Sequence, residues 1–371
     1  MDESKVTTLF AARIEKLHRF MQEQKLDAVL ITSPKHVYYL TGFFTDPHER
    51  FLGLVIPAQG EPSLIVPALD REAAAAASDI QRIYTHTDVQ NPYVVLKDTL
   101  PTGLQALGIE KSHMTVERFE AMSAFVTAAR FVDVEEPLRE MRLIKSQDEV
   151  ARMKHAIQLV EDALRESLKK VKPGVTEMEI VAELEYQMKR LGAEGPSFST
   201  MVLAGEKSAL PHGNPGSRAV KQGELLLFDL GVEADGYVSD ITRTFAVGEV
   251  DGKLREIYEI VLAANEAAIA AIKPGVTFAH LDKTARDVIS AKGYGEYFMH
   301  RLGHGLGMDV HEYPSVHGEN QEVLRPGMVF TIEPGIYLPG LGGVRIEDNV
   351  LVTETGVEVL TRFPKEWTVI G

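Results

Sequence analysis

Gly223-Glu-Leu-Leu-Leu-Phe-Asp-Leu-Gly-Val-Glu-Ala-Asp-Gly-Tyr-Val-Ser-Asp-Ile-Thr-Arg-Thr244 reads as two strands around a polar turn. Residues 225–232 are apolar except for Asp229 and Gly231. Glu233-Ala-Asp-Gly236 has turn composition, and residues 237–247 alternate like a return strand. A symmetric four-residue loop would set Asp229 directly opposite Asp240. Opposed side chains lie about 5 Å apart at Cβ, where like charges repel. Two bare carboxylates in an apolar sheet are therefore costly unless a cation lies between them. On this pair alone, a metal site and a solvated edge hairpin weigh equally.

The length of 371 residues suits two domains, and 44% hydrophobic with 25% charged residues is ordinary for a globular chain. A net charge of −15 lacks the basic footprint that nucleic acid requires. No apolar run approaches the length of a membrane span, and Asp2, Glu3 and Lys5 spoil any secretory leader. A cytoplasmic location with no nucleic-acid or membrane partner is expected. Cysteine is absent, so a metal would have to rest on His, Asp and Glu.

Upstream of the hairpin, short strand patterns (28–31, 52–57, 63–66, 80–84, 115–116, 131–134) alternate with helical ones, which predicts an α/β domain over residues 1–135. His18, His36, His86 and His113 are scattered there without ligand spacing. Asp46, His48, Glu49 and Arg50 crowd one short loop, which on composition reads as a solvated turn. Glu135-Glu-Pro137 looks like a joint, followed by one long helix over 138–171 and a second domain over 136–371.

Within that second domain the sequence repeats. Lys172-Pro-Gly-Val-Thr176 recurs as Lys273-Pro-Gly-Val-Thr277, each between helical runs. Gln222-Gly-Glu-Leu-Leu-Leu-Phe-Asp-Leu-Gly231 aligns with Pro326-Gly-Met-Val-Phe-Thr-Ile-Glu-Pro-Gly335, which places Asp229 on Glu333. A duplicated helix–helix–sheet unit follows, with too long a period for a solenoid. The second copy reads as strand 331–338, turn 339–343 and return strand 344–350, with Glu333 nearly opposite Glu347. A quasi-twofold that joins the hairpins gathers four carboxylates, which two divalent cations would balance. Oxygen donors with an imidazole suit manganese, cobalt, iron or zinc rather than a closed structural zinc site. His300, His304 and His311 cluster among glycines that let backbone approach closely, and His212 sits in the turn Leu210-Pro-His-Gly-Asn-Pro215. His311-Glu312 is no zincin helix, because Pro314 breaks it and Ser315 stands where the second histidine belongs.

Together these residues resemble the "pita-bread" metallopeptidases, which include methionine aminopeptidase, aminopeptidase P, prolidase and creatinase. Asp229, Asp240, His304, Glu333 and Glu347 fall in order on that family's five metal-ligand positions. Ser239-Asp-Ile-Thr-Arg-Thr244, Gly303-His-Gly305, Glu333-Pro-Gly335 and Gly343-Val-Arg-Ile-Glu347 look like the aminopeptidase P and prolidase branch, and the N-terminal region resembles its creatinase-like domain. Creatinase itself lacks the metal set. The nearest resemblance is to bacterial prolidase, the Xaa-Pro dipeptidase. Some prolidases carry an arginine just after the segment that matches Pro314, whereas this chain has Ser315, which leaves one carboxylate contact open.

The resemblance implies two divalent ions, manganese first, that bridge a hydroxide aimed at the scissile carbonyl of an Xaa-Pro dipeptide. Asp240 and Glu347 would bridge the metals, with Asp229 on one and His304 and Glu333 on the other. Glu333 would also move the proton, and His300 and His311 would face the developing oxyanion. Arg345 and His212 are candidates for the proline side and its carboxylate, with Arg301 behind them. The acidic groups of the substrate-binding loop that holds Asp46, His48, Glu49 and Arg50 would bind the substrate's ammonium and limit peptide length, from the other subunit of a homodimer. The competing readings are an aminopeptidase P that takes longer peptides and a non-catalytic binding module on the same fold.

Overall fold

The computed structural model describes residues 3–371, with side chains from residue 9 onward. Two compact units divide the chain, one reaching Met141 and the other Arg142–Gly371. Among the described residues no helix is long and apolar enough to cross a membrane.

The N-terminal unit carries helices α1 (Glu3–Gln24), α2 (Pro34–Thr41), α3 (Arg71–Ala77), α4 (Pro92–Thr99) and α5 (Val116–Ser123). Its strands are β1 (Ala28–Ile31), β2 (Gly53–Pro57), β3 (Ser63–Pro67), β4 (Arg82–His86), β5 (Ala106–Ile109) and β6 (Arg130–Asp133). They form one mixed sheet in the order β4-β3-β2-β1-β5-β6, with β1–β5, β5–β6 and β3–β4 parallel. This is the α/β pattern expected from the alternating runs. The apolar strand Ala28-Val-Leu-Ile31 is buried on both faces, as a central strand should be. The predicted strand at 115–116 is instead the start of α5, where the Thr115 side chain caps the backbone N–H of Arg118.

The predicted helix 138–171 is two helices, α6 (Glu135–Leu143) and α7 (Gln147–Leu168). Ser146 divides them. Its side chain accepts from the Glu149 N–H while the Glu149 carboxylate accepts from the Ser146 N–H, so a new helix begins there.

The internal repeat is structural. α7 and α8 (Glu177–Leu191) pair in one copy, α9 (Gly252–Ala270) and α10 (Phe278–Ala291) in the other. Thr176 and Thr277 are the N-caps of α8 and α10. Gly174 and Gly275, at φ 95° and 86°, turn the chain so that their N–H groups reach Val220 O and Leu324 O. Each copy then runs into a sheet that buries its inner face against its own helix pair.

In the first copy β7 (Gly195–Pro196) and β8 (Met201–Ala204) precede the hairpin β9 (Glu224–Leu230), β10 (Val232–Ala234), β11 (Tyr237–Val238) and β12 (Ile241–Val247). Its turn is shorter than the four-residue loop expected. Asp235 and Gly236, at φ 52° and 73°, form a two-residue turn, and Ala234 faces Tyr237. The register therefore moves by two residues, and Asp229 faces Thr242 rather than Asp240. Because strand side chains alternate with period two, Asp240 stays on the same face, diagonal to Asp229.

In the second copy β13 (Gly303–Gly305) and β14 (Glu312–Val316) precede β15 (Val329–Ile332), β16 (Gly335–Leu338), β17 (Gly342–Arg345), β18 (Asp348–Val352) and β19 (Val357–Val359). Ile332 faces Asp348 and Gly335 faces Arg345, so Glu333 and Glu347 oppose each other as expected. Both predicted strands are broken at those two acids, where the ladder opens. A last strand, β20 (Val369–Ile370), returns to pair in parallel with β12.

Candidate metal centre

A cavity of about 1030 Å³ opens between the two copies, lined by Asp229, Asp240, His304, Glu333 and Glu347 among others. One ligand atom each from Asp240, His304 and Glu347 lie within 4.8 Å of one another, and all three residues are buried. His304 Nε2 is 3.3 Å from Glu333 Oε1 and 3.6 Å from Asp240 Oδ2.

Local folding explains these positions. Asp229 and Asp240 share a face of the β9–β12 hairpin, while Glu333 and Glu347 leave the ladder where it opens. His304 stands on β13, its backbone N–H held by Thr331 Oγ1 at 3.1 Å. A Cβ on Gly303 would lie 1.9 Å from Thr331 O, so only glycine lets β13 come this close. The His304 ring bonds Gly305 O through Nδ1 at 3.1 Å. Nδ1 must donate to a carbonyl, so the lone pair of Nε2 faces the acids.

Bare, this arrangement is electrostatically poor. Burial, then the neighbouring carboxylates, hold Asp240 and Glu347 well above the usual carboxylate range. Glu333 is pushed up to about 7, chiefly by burial. Burial drives His304 down to about 3, so its ring is neutral. Asp229 Oδ1, Asp240 Oδ1 and Glu347 Oε1 are buried without a hydrogen-bond partner. Buried oxygens left without a donor, beside a neutral imidazole lone pair, are a donor set that fits divalent cations.

Arg345, expected at the substrate's proline side, is buried and turned to the acids. Its donors reach Asp229 Oδ2 at 2.5 Å, the Tyr337 hydroxyl at 2.9 Å and Thr242 Oγ1 at 3.1 Å. Thr242 in turn donates to Glu347 Oε2 at 2.7 Å. His300 donates from Nδ1 to Arg301 O at 2.7 Å, so its Nε2 accepts from the Tyr337 hydroxyl at 2.8 Å. The His311 ring lies 3.9 Å from that of His304, centre to centre. Arg301 donates to Ser315 Oγ at 2.9 Å and approaches His311 Nδ1 at 3.5 Å. His212, exposed on its turn, also lines the cavity.

The loop with Asp46, His48, Glu49 and Arg50 belongs to the N-terminal unit. There Arg50 pairs with Asp88 at 2.7 Å, and Asp46, His48 and Glu49 are exposed. Sequence reasoning missed Tyr337, the fully buried hydroxyl that joins His300 to Arg345. The available signal was parity. Residues 333, 335 and 337 fall on one side of a strand, which aims Tyr337 where Glu333 aims.

Residues 151–354 match metallopeptidase family M24, and residues 13–144 match the creatinase/prolidase N-terminal domain. A putative dipeptidase of Bacillus subtilis, YkvY, is 45% identical over 361 residues, covering 96% of this chain and 99% of its own. The solved Xaa-Pro dipeptidase from Bacillus anthracis superposes with a TM-score of 0.91 at 36% identity, over 97% of this chain and 100% of that one. The X-Pro aminopeptidase from Thermotoga maritima gives a TM-score of 0.87 at 35% identity, over 93% and 98%.

Proposed function

The chain belongs to metallopeptidase family M24, and we propose that it hydrolyses the Xaa-Pro bond of dipeptides, using two divalent cations held by Asp229, Asp240, His304, Glu333 and Glu347. The metal reading rests on ligand atoms of buried Asp240, His304 and Glu347 lying within 4.8 Å of one another, with Asp240 and Glu347 each keeping a carboxylate oxygen that no hydrogen bond satisfies. Manganese is the first candidate, with cobalt, zinc and iron behind it. The cations, when bound, supply Lewis acidity and lower the pKa of the attacking water.

The protein's own groups do the rest. Glu333 takes the proton from the nucleophile and passes it to the departing proline nitrogen. His311 faces the developing oxyanion, where a donor is worth about 3–4 kcal/mol. His300 is less suited to that task, because both of its ring nitrogens already have partners. Arg345 holds Asp229 and the Tyr337 hydroxyl, so its role is to orient the acids. The substrate's carboxylate then falls to Arg301, with His212 across the cavity. In a homodimer, the acidic Asp46 and Glu49 of the loop that also holds His48 and Arg50 would meet the substrate's ammonium at the other copy's cavity and limit peptide length.

Dipeptides are favoured because the similar proteins named above include a putative dipeptidase and an Xaa-Pro dipeptidase. The likeness to an X-Pro aminopeptidase supports a second reading, in which longer peptides are the substrate. Hydrolysis of Ala-Pro beside Ala-Pro-Ala-Ala, after chelation and reloading with manganese or cobalt, separates them. Cleavage of the dipeptide alone is the expected result. Preference for the tetrapeptide would establish the second reading, and inertness towards both with every metal would defeat peptidase activity altogether.

A further inference from the structure

We propose that Arg286, outside the catalytic cavity, is a positioning residue that sets the wall segment bearing His300 and Arg301. The proposal rests on the peptidase reading above for its kinetic consequence, though not for its geometry.

Arg286 lies on α10, one turn after Asp282. Its Nε and one terminal nitrogen donate to the two Asp282 oxygens, each at 3.0 Å. The other terminal nitrogen donates to Phe298 O at 2.8 Å, and the first reaches His300 O at 3.0 Å. The guanidinium also lies 4.3 Å from the centre of the Phe298 ring. Asp282, nearly buried, accepts from the Leu302 N–H at 3.1 Å. The pair thus grips the backbone at 298, 300 and 302, alternate residues of one segment. On the other side of that segment Met299, His300 and Arg301 line the catalytic cavity.

Only a planar fork with five donors makes these bonds at once; a lysine ammonium is a point with three. The geometry continues inward. With His300 O held, its Nδ1 bonds Arg301 O and its Nε2 receives the Tyr337 hydroxyl, so both the tautomer and the ring plane are set. Releasing Phe298 O and His300 O would let the segment rotate, and His300 and Arg301 would lose their places together. Misplacement of a substrate-binding side chain by about 1 Å is enough to cost catalysis heavily.

Access from outside makes the idea testable. Arg286 is 35% exposed and lines a second cavity of about 570 Å³ with Lys283, Asp287 and His317. A free guanidinium ion can therefore enter the space left by a truncated side chain.

The test compares R286M, R286K and R286A with the full-length, manganese-loaded wild type on Ala-Pro. R286M keeps the apolar stem over Phe298 and loses every bond of the fork. Its KM is expected to rise about tenfold or more while kcat falls less, with metal content unchanged. R286K should fall between, and millimolar guanidinium should restore R286A in part. Nitrogen NMR of the His300 ring gives a readout independent of activity. One tautomer, protonated at Nδ1, is expected in wild type and a mixture in R286M. Wild-type kinetics and a single tautomer in R286M would overturn the proposal. So would losses in all three variants that follow metal content or melting temperature and ignore guanidinium. A wild type that cleaves no peptide, with the tautomer still disturbed in R286M, would sink the peptidase reading and leave the positioning role standing.

Discussion

Four carboxylates and the Arg345 guanidinium share the buried end of the cavity, and that charge count governs the behaviour of the metal-free protein. Asp240, Glu333 and Glu347 all bind protons more tightly in the folded chain than in an ordinary carboxylate, with Glu333 reaching about 7. The folded state therefore holds more protons than the unfolded one between about pH 4 and about pH 7, and stability falls as pH rises through that window. Chelated protein is expected to melt several degrees lower at about pH 8 than at about pH 5.5, and manganese should abolish the difference. A chelated protein equally stable at both values would mean that burial and the neighbouring carboxylates do not raise the proton affinity of these acids. The four acids and the histidine cluster were legible in the chain because acids inside apolar strands and histidines among glycines break a pattern, whereas the choice of His304 within that cluster came from the family resemblance. Tyr337 was not legible, since a tyrosine in a strand breaks nothing. The bonds of Arg345 to Asp229, Thr242 and the Tyr337 hydroxyl were equally hidden, because they depend on what lies across the hairpin.

At the scale of elements, register is where reading and structure parted. The acids of the second hairpin oppose each other, whereas Asp229 faces Thr242 and Asp240 lies two residues further along. Composition marks a turn but not its length, and a two-residue turn shifts every pairing beyond it. The repeat was far more legible, because Lys-Pro-Gly-Val-Thr specifies a left-handed glycine and, two residues later, a helix cap. The break between α6 and α7 was missed because the apolar period runs on through it, and only Ser146 with Glu149 announces a new start. A Cβ on Gly231 would lie 2.0 Å from Ser239 O, on the strand that leads to Asp240, and 2.3 Å from Ser197 Oγ. Gly231→Ala should force the strands apart beside the metal site, costing about 1–3 kcal/mol and weakening metal binding. Calorimetry with and without manganese measures both, and an unchanged melt with full metal affinity would contradict the packing.

Across the whole molecule, each unit has its own buried core, and the catalytic unit has one for each copy of the repeat. The last residues of the catalytic unit close it. Arg243 donates to Phe363 O and Pro364 O, Lys365 bonds Asp348 and Asn265, and Trp367 packs on Tyr258. The backbone N–H groups of Arg362 and Phe363 satisfy the buried Glu161 carboxylate on α7. Ending the chain after Leu360 should therefore abolish cooperative melting of the catalytic unit and its metal binding. A truncated protein that binds manganese as before would show that these contacts are dispensable.

The parallel pairing of β20 with β12 has a consequence for synthesis. About 120 residues separate the two strands, and translation at about 5–20 residues per second takes roughly ten seconds to cover them. Throughout that interval the nascent chain presents β12 as an open strand edge and Glu161 as a carboxylate awaiting its donors. Although the first copy is made first, the pairing of Ala246 and Val247 with Val369 and Ile370 waits until the last residues have left the ribosome. That end of β12 is thus completed by order of synthesis, its outer edge at Ala246 and Val247 staying unpaired while the second copy is being made.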